Sequence, residues 1–300
     1  MGKKENRLLE KSTKSCIVDN RKFLEDIRMN KIKRYLGGLA FLALAVIFSG
    51  GGIQAKAMKL SAESAVVMDV QSGAILYQKN MDKQEYPASI TKVMTAMLAI
   101  ENSSLDEVVT YSAKALQLES GASNIQLKKG EKITMEESLY AILLMSANEA
   151  CNGVAEHIAG STDNYVKMMN NRAKELGCTH THFANASGLP DENHYTSALD
   201  LAKIMRAGLK NARFRKVIES VGYTIPATNV SGGERVLTNN FSMLNNTNAS
   251  YYQYCLGGRE GYTEASGSTL VCGAEKNGVS LIAVVLQGAS GTTAAEAVSL

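Results

Sequence analysis

Tryptophan is absent, and aromatic residues of all kinds make up only 6% of the 300 residues. A core that cannot rest on large rings has to be built from Leu, Ile, Val, Met and Ala, and the apolar share of 45% supplies them. With 20% charged residues the composition is that of a folded globular protein, long enough for one large domain or two ordinary ones. No internal repeat and no low-complexity linker divide the chain. A charge excess able to define a partner is also missing. The net charge of +3 comes from the first 57 residues, with 12 Lys and Arg against 5 Asp and Glu; the remainder carries 20 against 24, a net of −4. Basic residues confined to the leader cannot form a nucleic-acid surface on the mature domain, so nucleic acid is excluded as a partner.

A long apolar run is lacking as well. Tyr35 to Phe48 is too short for the roughly 20 residues a bilayer crossing needs, and it contains Gly37 and Gly38. Preceded by Met29-Asn-Lys-Ile-Lys-Arg and followed by Ala55-Lys56-Ala57, it reads instead as a secretory signal over residues 29–57, cleaved after Ala57. Residues 1–28, charged and upstream of a complete signal, read as a non-native extension, with translation starting at Met29. The mature chain, 58–300, is then expected outside the cytoplasmic membrane, without a membrane span of its own.

Four cysteines, Cys151, Cys178, Cys255 and Cys272, remain after export, in a compartment that permits bridges. None of their spacings suggests a metal, and small or apolar flanks read as four buried thiols. His157, among apolar helical neighbours, reads as a satisfied structural histidine. His180, His182 and His194 are too scattered to form a zinc set.

What is present has a clear order. Ser64–Val70 and Ala74–Gln78 alternate about a Gln71-Ser72-Gly73 turn, predicting a hairpin. Helical spacing covers Thr91–Ile100, and Thr134-x-x-Glu137 is a capping box opening a helix to Met145. Further helices are predicted over Glu149–Ala159 and Asp163–Leu176, the latter closed by Gly177. Ser268–Ala274 and Val279–Gln287 form a second hairpin across Glu275-Lys276-Asn277-Gly278. Strands from both ends around a helical middle predict an α+β fold with one central antiparallel sheet.

Ser89-Ile-Thr-Lys92 is the one Ser-x-x-Lys in the chain, and a helix begins directly after it. Ser89 therefore sits at a helix N-terminus with Lys92 one turn along on the same face, where a lysine of lowered pKa can take the serine proton. The amides of that first turn offer positive potential to a developing oxyanion. Ser146-Ala-Asn148 lies in the break between two predicted helices. Asn148 there can be a cap, or, paired with Ser146, it can hold a substrate amide while Ser146 relays a proton to a leaving group.

These two elements, in this order, are two of the three motifs of penicillin-binding proteins and class A β-lactamases, the third being Lys-Thr-Gly. The sequence resembles the low-molecular-mass D-alanyl-D-alanine carboxypeptidases in particular. The likeness runs from Ser64 to Gln287 and includes Pro87-Ala-Ser-Ile-Thr-Lys-Val-Met-Thr95, Ser146-Ala-Asn-Glu-Ala150, Thr181-His-Phe-Ala-Asn-Ala-Ser-Gly-Leu-Pro190 and His194-Tyr-Thr-Ser-Ala-Leu-Asp200. The resemblance implies a transpeptidase/β-lactamase-like fold in which Ser89 is acylated by the penultimate D-Ala of a peptidoglycan stem peptide, with Lys92 as base and Ser146 as relay. It further implies covalent inhibition by β-lactams and no metal or organic cofactor. A muropeptide-binding homologue of impaired activity, and a D,D-endopeptidase or β-lactamase with the same serine machinery, are the alternatives.

The sequence departs from the family at two places. Where Lys-Thr-Gly is expected it reads Arg259-Glu260-Gly261-Tyr262. Arg259 keeps a charge that can bind a carboxylate, whereas an ionised Glu260 sets like charge against it. Glu260 is read either as pairing with and neutralising Arg259 or as selecting an amine-bearing acceptor. The amide of Tyr262 still completes an oxyanion hole with that of Ser89. The chain also stops at Leu300, where the family continues into a closing helix that Thr292–Leu300 is expected to supply only in part.

Overall fold

In the computed structural model, residues 60–300 are described; the extension and leader expected over residues 1–57 lie outside the described residues. Strands β1 (Ser64–Asp69) and β2 (Ile75–Lys79) form the first hairpin, and β7 (Cys255–Thr263), β8 (Gly267–Lys276) and β9 (Val279–Gly288) follow near the end. All five join in one antiparallel sheet of order β2-β1-β9-β8-β7. The first strand lies beside the last, with Val66 opposite Val284. Between β8 and β9, Asn277 and Gly278 both take positive φ, 53° and 79°. Such a turn matches the strands' twist, and Asn-Gly is the pair that tolerates it.

Between the two strand sets lie α1 (Lys92–Asn102), α2 (Met135–Met145), α3 (Asn148–Ala159), α4 (Thr162–Glu175), α5 (Ala198–Leu209) and α6 (Ala212–Ile218). Helix α1 is buried at every position from Lys92 to Ile100, which its small and apolar run Val-Met-Thr-Ala-Met-Leu-Ala-Ile allows, so it is the central helix. The box that starts α2 is complete, with the Glu137 amide donating to Thr134 Oγ1 at 3.1 Å and the Thr134 amide to Glu137 Oε2 at 2.7 Å. Helices α5 and α6 were not predicted, although Ser197 and Asn211 cap their N-termini. Two small sheets, β3 (Val108–Thr110) with β4 (Lys132–Thr134) and β5 (Gly222–Ile225) with β6 (Arg235–Thr238), flank the helices.

The sheet separates two apolar cores, and strand alternation decides which side chain enters which. Val271, Val284 and Ile282 face the helices; Leu270, Cys272 and Val285 face Phe241, Met243 and a short helix α7 (Thr293–Ser299). Ala294 and Ala297 of α7 are buried there, so the Ala-rich tail packs on this side of the sheet. All four cysteines are free; Cys151, Cys178 and Cys272 are buried, while Cys255, at the bulged start of β7, is only half-buried. Burial pushes the Cys151 thiol up to about 11, so it stays a small apolar filler at neutral pH. His157 is in α3 but partly exposed, and Glu107 satisfies it at 2.9 Å.

Candidate active site

Pro87 introduces a tight 3-10 turn over Ala88–Thr91, with Ala88 at φ 53°, and this turn runs straight into α1. It places Ser89 above the first residue of the helix, and Lys92 Nζ lies 3.3 Å from Ser89 Oγ. Lys92 is fully buried. Its other partners come from distant segments, Asn148 Oδ1 at 2.8 Å and Ser187 O at 2.6 Å. Burial lowers its pKa to about 8, and the charge of Arg259 acts in the same direction. The geometry has a chemical consequence. A neutral amine has two N–H groups and one lone pair. The ammonium donates to Asn148 Oδ1, Ser187 O and Ser89 Oγ; once neutral, with its two N–H groups kept by Asn148 Oδ1 and Ser187 O, it has its lone pair left for the Ser89 hydroxyl.

The Ser146–Asn148 element occupies the junction of α2 and α3. Ser146 ends α2 in the left-handed region, φ 59°, and Asn148 is the first residue of α3. Asn148 is not the cap, since that place falls to Ala147, and its side chain is spent on Lys92 instead. Ser146 is buried to 4% exposure, and among the described residues its hydroxyl makes no hydrogen bond to Ser89 or Lys92.

The segment from Thr181 to Thr196 forms the floor, a role that inspection of the sequence alone did not assign. Gly188 takes φ 87°, and a Cβ there would lie 1.9 Å from the Ala88 carbonyl oxygen, so only glycine lets this loop support the Ser89 turn. Asn185 Oδ1 accepts from the Gly188 amide at 2.7 Å, and Thr95 Oγ1 donates to Ala186 O at 2.6 Å. The Asn-x-x-Gly spacing was the available signal. His194 ties the loop down. Its Nδ1 accepts from the amides of Ala184 (3.1 Å) and Asn185 (3.4 Å), so the ring proton is on Nε2 and is donated to Thr91 Oγ1 at 2.8 Å.

Burial pushes the His194 pKa down to about 4. The unfolded chain therefore binds a proton that the native state refuses between about pH 6.5 and 4. The stability due to neutral His194 is fully present above about 6.5 and is lost as the pH falls through about 4. Urea denaturation at pH 7 and pH 4 is expected to show the native protein losing roughly 3 kcal/mol more than a His194→Gln variant; equal losses would contradict the assignment.

Strand β7 is the other wall, and alternation splits its residues. Arg259 pairs with Val271, which faces the helices, and Glu260 pairs with Leu270, which faces α7. Arg259 is buried and caps the end of α2, its Nη1 donating to Leu143 O at 2.7 Å and to Asn240 Oδ1 at 2.9 Å. Burial lowers its pKa to about 10. Glu260 lies on the opposite face and accepts from Ser242 Oγ. Of the two readings of Glu260, direct pairing with Arg259 is therefore not what the fold adopts, because neighbouring strand residues point apart. Gly261 abuts Ser89; a Cβ there would be 2.7 Å from the Ser89 amide nitrogen. Thr269 Oγ1, on β8, donates to Pro87 O at 2.9 Å and fixes the turn from the same side. Tyr262 is exposed.

Among the described residues no cluster of His, Cys, Asp and Glu is placed to hold a metal, and no helix is long and apolar enough to cross a membrane.

Residues 52–290 match the model of the D-alanyl-D-alanine carboxypeptidase family. The chain is 36% identical over 236 residues to D-alanyl-D-alanine carboxypeptidase DacF of Bacillus subtilis, covering 76% of this chain and 58% of that protein. It is 31% identical over 229 residues to DacB2 of Mycobacterium tuberculosis, covering 76% and 75%. Among solved structures, a D-alanyl-D-alanine carboxypeptidase of Mycobacterium tuberculosis superposes with a TM-score of 0.73 at 28% identity, over 82% of this chain and 93% of that one. The Streptomyces K15 DD-transpeptidase does so with a TM-score of 0.73 at 28% identity, over 81% and 97%. The chain thus spans little more than half of DacF, yet the family match over residues 52–290 takes in the sheet, the helical middle and every residue placed around Ser89, and by that match the chain belongs to the D-alanyl-D-alanine carboxypeptidase family.

Proposed function

We propose that this protein is an exported serine D-alanyl-D-alanine carboxypeptidase acting on peptidoglycan stem peptides. The observation that carries the reading is Lys92, fully buried, with a pKa lowered to about 8 and its Nζ 3.3 Å from the Ser89 hydroxyl. Ser89 Oγ attacks the carbonyl carbon of the penultimate D-Ala while its proton passes to Lys92 Nζ. The oxyanion is held by the amides of Ser89 and Tyr262. Collapse breaks the C–N bond, and the departing D-Ala amine takes a proton from Lys92 through Ser146. Water then attacks the acyl ester, giving its proton back along the same route, and frees the shortened peptide and Ser89. Asn148, which positions Lys92, is also suited to bind the substrate amide, and Arg259 supplies positive potential from beneath β7. The leader over residues 29–57 accounts for export to the compartment where such peptides occur.

The test is incubation of residues 58–300 with a fluorescent penicillin, followed by peptide mapping. One adduct, on Ser89, together with release of D-Ala from a pentapeptide, is expected. A folded sample that takes up no penicillin and releases no D-Ala would instead make the chain an impaired muropeptide-binding relative.

A further inference from the structure

A recess of about 440 Å³ runs along the edge strand β7 beside the Ser89 turn. Gly261 and Thr269 belong to its lining, and these are the residues that abut the Ser89 amide and Pro87 O. The remaining polar walls carry Ser242, Asn248, Ser250, Ser268 and Thr293, groups without charge. Glu260 is the one ionisable carboxylate of the lining, which contains neither Lys nor Arg. One of its oxygens is engaged by Ser242 Oγ. Tyr262, two residues on and therefore on the same face of the strand, presents an exposed ring at the mouth. Arg259, the nearest cation of the strand, is buried on the opposite side and committed to the end of α2.

A carboxylate with one oxygen anchored by a hydroxyl, beside an aromatic face and without a competing cation, suits an alkylammonium group: the charge is attracted to the carboxylate and to the ring quadrupole together. A free carboxylate placed in the same recess meets repulsion. We propose that this recess is a subsite for a protonated amine, with Glu260 the residue that sets specificity, so that the preferred peptide carries an amine on the residue leaving from the scissile bond. The inference rests on Ser89 acting as the acylated serine, because that places the leaving residue next to Gly261.

The experiment uses two peptides with the same carbon skeleton, an N-acyl-D-Ala-D-Lys and an N-acyl-D-Ala-D-norleucine, which differ only in the terminal ammonium. Binding is measured to a Ser89→Ala variant, in which no turnover interferes, and cleavage to the unmodified protein. About tenfold preference for the D-Lys peptide is expected in both, weakening at high salt, as one partly screened charge pair gives. Adding Glu260→Gln should bring the ratio to about one, by loss of the D-Lys peptide's advantage. Equal binding of the two peptides by the Ser89→Ala protein, or a ratio that survives Glu260→Gln, overturns the subsite. Failure of the serine reading is seen separately, as absence of a penicillin adduct, and leaves the binding ratio measurable.

Discussion

Lys92→Met is expected to slow penicillin acylation of Ser89 by about 10³- to 10⁴-fold, at the upper end of what a positioned general base contributes. In the unmodified protein the same rate should rise with pH, about tenfold per unit below pH 8, and level off above it, because only the neutral amine of Lys92 can accept the serine proton. The slope should vanish in Lys92→Met. The variant is expected to fold. At pH 7 an ammonium whose pKa burial has lowered from 10.5 to about 8 costs the native state roughly 3 kcal/mol, and Met removes that cost. Stranding Asn148 Oδ1 and Ser187 O costs about 1–3 kcal/mol each in return, which offsets that gain. Stopped-flow acylation across pH 6 to 9, beside a thermal melt, checks both parts. A pH-independent rate in the unmodified protein would remove Lys92 from the role of base.

Gly261→Ala is expected to reduce acylation by about 10²- to 10³-fold, the size of effect seen when an oxyanion donor is lost. Its added Cβ would stand 2.7 Å from the Ser89 amide nitrogen, 2.8 Å from Thr269 Oγ1 and 2.9 Å from Ala88 Cβ. Two of these atoms are main chain or next to it, and the third is held by Pro87 O, so none can swing aside. Either β7 or the nucleophile's turn must move, and both carry the groups proposed to stabilise the oxyanion. The matched control is Gly232→Ala, where a Cβ would have nothing within 4 Å and acylation should be unchanged. Equal rates in Gly261→Ala and Gly232→Ala would mean that β7 does not form the wall proposed.

Much of the fold was legible because its signals are local. A capping box at Thr134, an Asn-Gly turn at Asn277, a glycine after α4 and period-two alternation at both ends each specify their own few residues, and the elements stand where those signals place them. Helices α5 and α6 were overlooked although Ser197 and Asn211 cap them, since a lone Ser or Asn occurs in many turns as well. The segment Asn185 to Gly188 stood out by family likeness, but its task was not legible: it depends on contact with Ala88 and Lys92, about 95 residues away.

The sequence by itself determined which groups are available for chemistry: Ser89 with Lys92 one turn on, Ser146 and Asn148 at a helix junction, and an Arg-Glu-Gly run in place of Lys-Thr-Gly. Only the tertiary structure decided what state those groups are in. The pKa of Lys92 depends on how much protein surrounds it, and its donors are fixed by Asn148 and Ser187, brought to it by chain folding. Arg259 and Glu260 are neighbours in sequence, and their charges suggest a pair. Placed in a strand between two cores, they are held on opposite faces, one committed to the end of α2 and one in the recess along the strand's edge. Adjacency along a chain is a covalent fact, whereas the side of a sheet a residue faces is set by which cores the whole chain packs against it.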